Sequence, residues 1–80
     1  MNVPEVVLYS RPGCHLCDDA REVIQEVRQR HAFGFREVDI DEDEALTRDY
    51  GVRIPVVAVD GVEAFEYHVD PVALEGLLRI

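Results

Sequence analysis

Cys14-His15-Leu16-Cys17 holds both sulfhydryls of the 80-residue chain, and two thiols at this spacing can form and break a disulfide within one turn of chain. Ser10, Arg11, Pro12 and Gly13 precede the pair as a tight turn. An amphipathic run follows it, with Leu16, Ala20, Val23, Ile24 and Val27 on one side and Arg21, Glu22, Gln25, Glu26 and Arg28 on the other. This places Cys14 at a helix N-terminus, where free backbone N–H groups and the positive end of the helix dipole favour thiolate over thiol. Thiol pKa values in such motifs run from roughly 3.5 to 7.5, so Cys14 is expected to be the ionised, attacking thiol. Cys17, one turn on and more enclosed, is expected to resolve a mixed disulfide. Asp18 and Asp19 oppose ionisation of Cys14, whereas Arg11 and a protonated His15 assist it. His15 either tunes the thiolate or is an incidental exposed histidine.

Two cysteines also suit a pair of buried hydrophobes or part of a zinc site. No third cysteine exists, and His15, His31 and His68 fall on different predicted elements, so a metal ion is not expected. Asp39, Asp41 and Asp43 imitate the start of a calcium loop. However, Glu44 stands where the loop needs glycine and Tyr50 where it needs the bidentate glutamate, which rejects that reading.

The elements that must position these thiols follow from pattern. Glu5–Tyr9 reads as a buried strand and the run from Leu16 as a helix of about four turns. Phe35–Ile40 reads as a second strand after Gly34. A short second helix follows, with Asp41 and Glu44 as a capping box, Ala45, Leu46 and Tyr50 facing inward, and Gly51 as its stop. Ile54–Val59 is a strongly apolar strand, joined through the hairpin signal Asp60-Gly61 to a strand over Val62–Tyr67. Asp70 as N-cap and Pro71 at the first helical position open a last helix that turns Leu74, Leu77 and Leu78 to the sheet. Phe35, Phe65 and Tyr67 are assigned to the core and sheet faces.

The order βαβαββα, with right-handed crossovers, predicts a single α/β domain over 1–80: a four-stranded mixed sheet flanked by three helices. Pro55, at the start of a core strand, forfeits a ladder hydrogen bond and calls for either a cis peptide or an ordinary trans strand start.

The stretch Leu8–Cys17, followed by Tyr50-Gly51-Val52-Arg53-Ile54-Pro55, resembles the glutaredoxin-like branch of the thioredoxin superfamily over almost the whole chain. The resemblance implies a thioredoxin fold and a cis Pro55 beside the cysteines, with Ile54 offering backbone hydrogen bonds to substrate. Glutathione-using glutaredoxins typically carry CPYC, a Thr-Val before the proline, and a Gly-Gly with acidic residues before the last helix. The matching positions here are Cys14-His15-Leu16-Cys17, Arg53-Ile54-Pro55 and Tyr67-His68-Val69-Asp70. Arg11 and Asp70 remain as glutathione contacts. Thioredoxins carry Trp-Cys-Gly-Pro-Cys and a buried aspartate where this chain has Leu8, and the chain has no tryptophan. Arg53 either steers an anionic substrate or is a solvated side chain.

The expected activity is thiol–disulfide exchange on protein disulfides or glutathione mixed disulfides, with electrons from glutathione or a thioredoxin-reductase-type donor. Two alternatives are an iron–sulfur or metal carrier of glutaredoxin type and a redox-inert binding module of the same fold. No bound organic cofactor is called for, and glutathione is a candidate co-substrate. Seventeen acidic residues against eight arginines and no lysine give a net charge of −9, which disfavours nucleic acid and anionic membranes. The N-terminus lacks signal-peptide features and the early apolar run is too short to span a bilayer, so a cytoplasmic monomer is expected.

Overall fold

The computed structural model describes residues 3–79. Its elements run β1 (Glu5–Ser10), α1 (His15–Arg28), β2 (Gly34–Asp39), a 3-10 turn (Ile40–Glu42), α2 (Glu44–Tyr50), β3 (Val56–Val59), β4 (Val62–Glu66) and α3 (Pro71–Leu78). The strands form one mixed sheet in the order β2-β1-β3-β4. β1 runs parallel to β2 and antiparallel to β3, and β3 runs antiparallel to β4. This is the α/β, four-stranded, three-helix arrangement expected from the element order.

Strand parity decides what each face can bury. Val6 and Leu8 point to one face of β1, where the register sets Phe35 beside Val6, Val59 beside Val6 and Val57 beside Leu8. α1 and α3 close this face. Val6, Leu8, Val57 and Val59 join Ala20, Ile24 and Val27 from α1 and Leu74 and Leu78 from α3 in one core. The opposite face carries Val7, Tyr9, Val56 and Ala58, and α2 reaches it through Tyr50, whose ring stacks on Tyr9 at 4.3 Å between centroids. Asp60 (φ 51°) and Gly61 (φ 83°) both adopt positive φ in the β3–β4 hairpin, the conformation that a two-residue turn needs to follow the strand twist.

The helix phases differ from the sequence expectation in three places. In α1 the buried set is Cys17, Ala20, Ile24 and Val27, so Leu16 lies off the stripe and is 37% exposed. In α3 the buried pair is Leu74 and Leu78, one turn apart, and Leu77 is 42% exposed. The acidic stretch contains two caps instead of one capping box. Asp39 caps the 3-10 turn by accepting from Asp41 N, and Asp43 caps α2 by accepting from Ala45 N at 2.7 Å. The 3-10 turn uses the residues that a box starting at Asp41 would need, and Ala45 is left exposed. β3 starts two residues later than expected, at Val56, and β4 ends at Glu66, because Tyr67 takes φ 66° and leaves the ladder.

Candidate functional site

The parallel crossover from β1 to β2 runs through α1, so the β1–α1 turn lies at the C-terminal end of β1. Gly13 takes φ 79°, a left-handed conformation open to glycine, and delivers Cys14 to the N-cap of α1. Cys14 is half-buried, and its Sγ accepts a hydrogen bond from Cys17 N–H at 3.1 Å. Its carbonyl accepts the first helical bond from Asp18 N. Cys17 is fully buried, and the two cysteines are joined as a disulfide with their Cα atoms 5.2 Å apart. One sulfur therefore sits on the donor end of a helix, partly open, and the other lies sealed behind it.

Tyr9 pairs with Val56, so the chain entering β3 reaches the same end of the sheet as the cysteine turn. Here the Ile54–Pro55 peptide is cis, Pro55 is buried and Ile54 is half-buried. The Pro55 carbonyl accepts from Tyr67 N at 2.8 Å, and Tyr67 Oη donates to the Val52 carbonyl at 2.9 Å. Among the described residues, the backbone N–H and C=O of Ile54 make no hydrogen bond within the chain.

Arg11, His15, Arg53 and Asp70 fall in the turns and helix starts at this end of the sheet, but they are not equally free. Arg11 donates from Nε and Nη2 to one oxygen of Asp41, at 3.2 and 3.0 Å. Arg53 lies over the Tyr50 ring, 5.0 Å from its centroid, and binds Glu63 at 2.9 Å and Glu66 at 3.3 Å. Asp70 caps α3 through Val72 N at 2.9 Å. His15 opens α1, is exposed and makes no side-chain hydrogen bond within the described residues. Arg53, for which the sequence left both substrate steering and a solvated side chain open, links α2, the proline loop and β4. The guanidinium of Arg53 holds the Glu63 carboxyl below the usual carboxylate range and is itself held above the ordinary arginine value.

A polar network that pattern reading missed brackets the cysteines. Ser10, 3% exposed, donates to Glu37 Oε2 at 2.7 Å. Arg21 Nε donates to Glu37 Oε1 at 2.7 Å, and Arg21 Nη1 donates to Asp18 at 2.8 Å. Ser10 ends the strand before the turn and Asp18 follows Cys17, so the network spans the cysteine segment from both sides. The Arg21 guanidinium, helped by the Ser10 hydroxyl and opposed by partial burial, holds the Glu37 carboxyl below its ordinary value. Pairing with Arg21 also blunts the effect of Asp18 on Cys14. The signal for this network was parity: Ser10 shares a face with Leu8, and Glu37 joins that face beside Leu8 only once the β1–β2 register is known. Among the described residues, no three histidine, cysteine or carboxylate side chains form a cluster able to hold a metal ion. Nor is any helix among them long and apolar enough to cross a membrane.

A helix-capping cysteine pair and a proline-led strand at one end of a β2-β1-β3-β4 sheet are the arrangement of a thioredoxin-superfamily protein. The chain belongs to the Glutaredoxin-like domain family (DUF836), whose profile matches residues 5–79. An uncharacterized protein of Mycobacterium tuberculosis (strain ATCC 25618 / H37Rv) is 32% identical to it, across 88% of this chain and 77% of that protein. The X-ray structure of target protein XcR50 from X. campestris is 38% identical, covering 91% of this chain and 93% of that one, with a TM-score of 0.73. A point-mutant thioredoxin from Halobacterium salinarum NRC-1 is 26% identical, covering 96% of this chain and 73% of that one, with a TM-score of 0.70.

Proposed function

We propose that the protein is a dithiol thiol–disulfide oxidoreductase with Cys14 as nucleophile and Cys17 as resolving thiol. The observation that carries this reading is the helix-capping disulfide, with one half-open sulfur accepting a backbone N–H and one sulfur fully buried. In the reduced protein the same N–H and helix end stabilise a thiolate on Cys14. That thiolate attacks one sulfur of a substrate disulfide. A Cys14–substrate S–S bond forms, the substrate S–S bond breaks, and the leaving thiolate takes a proton from water. Cys17 then gives its proton to water and attacks Cys14 Sγ, which forms the intramolecular disulfide and releases the second substrate thiolate. The substrate gains two electrons and the protein loses two. A thiol donor, glutathione or a dithiol protein reductant, returns them in a setting such as the cytoplasm. Ile54 offers the unused backbone donor and acceptor to an extended substrate, next to Pro55.

The test is equilibration of the Cys14–Cys17 pair in glutathione and dithiothreitol redox buffers, with thiol trapping and mass readout. A reversible two-electron couple between roughly −180 and −270 mV supports the reading, and a pair that fails to cycle refutes it. Cys17→Ser should accumulate a mixed disulfide on Cys14, whereas Cys14→Ser should form none.

A further inference from the structure

The charge around the cysteines is already spent within the chain, and this limits what the site can hold. An open cleft beside the redox turn is lined by the carboxylates of Asp18, Glu37, Asp39 and Glu42 and by two guanidiniums, Arg11 and Arg21. Arg11 is paired with Asp41, and Arg21 with Glu37 and Asp18. On the other side of the site, Arg53 is paired with Glu63 and Glu66, and the carboxylate of Asp70 is used as a helix cap. Among the described residues, the arginines without a carboxylate partner are Arg28, Arg36 and Arg79. Arg28 and Arg79 lie at the C-terminal ends of α1 and α3, away from the helix starts that frame the site, and Arg36 lies in the middle of β2 beside Val7.

The neutral surface here is apolar. Leu16, between the two cysteines, is 37% exposed, Val52 is 87% exposed and Tyr67 is 44% exposed. Tyr67 is bonded to Val52 and Pro55, so these side chains flank the unpaired backbone of Ile54.

Resting on the thiol–disulfide reading above, we infer that the site selects disulfides in extended, uncharged or basic polypeptide segments that carry an apolar side chain near the reacting cysteine, and discriminates against glutathione. Glutathione carries two carboxylates and one ammonium. It would bring net negative charge to a cleft with no free guanidinium, on a chain of net charge −9. A polypeptide segment instead pairs its backbone with Ile54, lays an apolar side chain against Leu16, Val52 or Tyr67, and gains from the acidic field when it is basic. The exchange steps are unchanged, with the polypeptide cysteine as leaving group and a dithiol protein as electron donor.

The experiment follows second-order oxidation of the reduced protein by acid quench, alkylation and mass, using three probes: oxidised glutathione, a disulfide-linked basic peptide with leucine beside cysteine, and uncharged 2-hydroxyethyl disulfide. At low salt the peptide should react at least about tenfold faster than oxidised glutathione, and added salt should narrow the gap from both directions. Asp41→Asn, which releases Arg11, should raise the glutathione rate about threefold or more, lower the basic-peptide rate, and leave the rate with uncharged 2-hydroxyethyl disulfide unchanged. Oxidised glutathione reacting as fast as the peptide, with no salt dependence, would overturn the inference. Failure of all three probes, the uncharged one included, would instead defeat the thiol-exchange reading itself.

Discussion

Removing the charge of Glu37 should destabilise the protein at neutral pH but not in acid. In Glu37→Gln Arg21 loses one of its two anions and keeps Asp18, and the buried Ser10 hydroxyl keeps at best a neutral acceptor. The Glu37 and Arg21 side chains are 29% and 37% exposed, so solvent screens the pair and its worth is about 0.5 to 1 kcal/mol. The hydrogen bond from Ser10 adds about 0.5 to 1 kcal/mol. A loss of about 1 to 2 kcal/mol corresponds to a fall in Tm of about 5 to 12 °C for a domain of this size. The sign with pH follows from the lowered Glu37 value. Its contribution is fully present above the unfolded carboxylate value and is lost as pH falls through the folded one. Circular-dichroism melts of both oxidised proteins should therefore show a constant gap near neutrality that closes as pH falls below the ordinary carboxylate value and through the lowered Glu37 value. A gap that persists in acid, or none at neutral pH, would refute the assignment of charge-dependent stability to this network.

Leu74→Ala removes a fully buried α3 side chain from the core shared with α1 and the sheet, and should lower unfolding free energy by about 3 kcal/mol in urea titrations. Asp43→Ala should cost about 1 kcal/mol through loss of the α2 cap, with a smaller effect in helical ellipticity at low temperature. Burial, with the neighbouring Tyr9 phenol and Glu63 carboxylate, pushes the Tyr50 hydroxyl up to about 12. The ultraviolet phenolate band of the folded protein should therefore include a late-titrating component absent from Tyr50→Phe. Because the unfolded phenol ionises earlier, stability should fall as pH rises between these two values.

Element order, sheet topology and the redox turn were legible because each rests on local chemistry: the Val-rich β1, the Asp60-Gly61 hairpin, the Asp70-Pro71 helix start and the Cys14–Cys17 spacing. The phase of α1 was less legible, because Leu16 is the larger apolar side chain while Cys17 holds the buried position. The α2 start was obscured by acids at 39 and 41–44, several of which suit a cap, and the choice between them depended on the 3-10 turn. Least legible were the partners of Arg11, Arg21 and Arg53. Apart from Asp18, one helical turn from Arg21, these lie 10 to 30 residues away in sequence, and strand register and loop path determine them. The site residues were therefore visible as positions, but their availability to a ligand was not.

β4 forms one edge of the sheet, and an edge strand presents unpaired backbone groups on which another strand can grow. Here the β3–β4 register slips between Val57 and Ala58, which breaks the flat run of donors and acceptors, and Glu63 and Glu66 place charge along the strand. The carboxylates that latch Arg53 from within thus also repel a neighbouring edge from without. Neutralising both would loosen the proline loop and open a path to strand-by-strand association in the same variant.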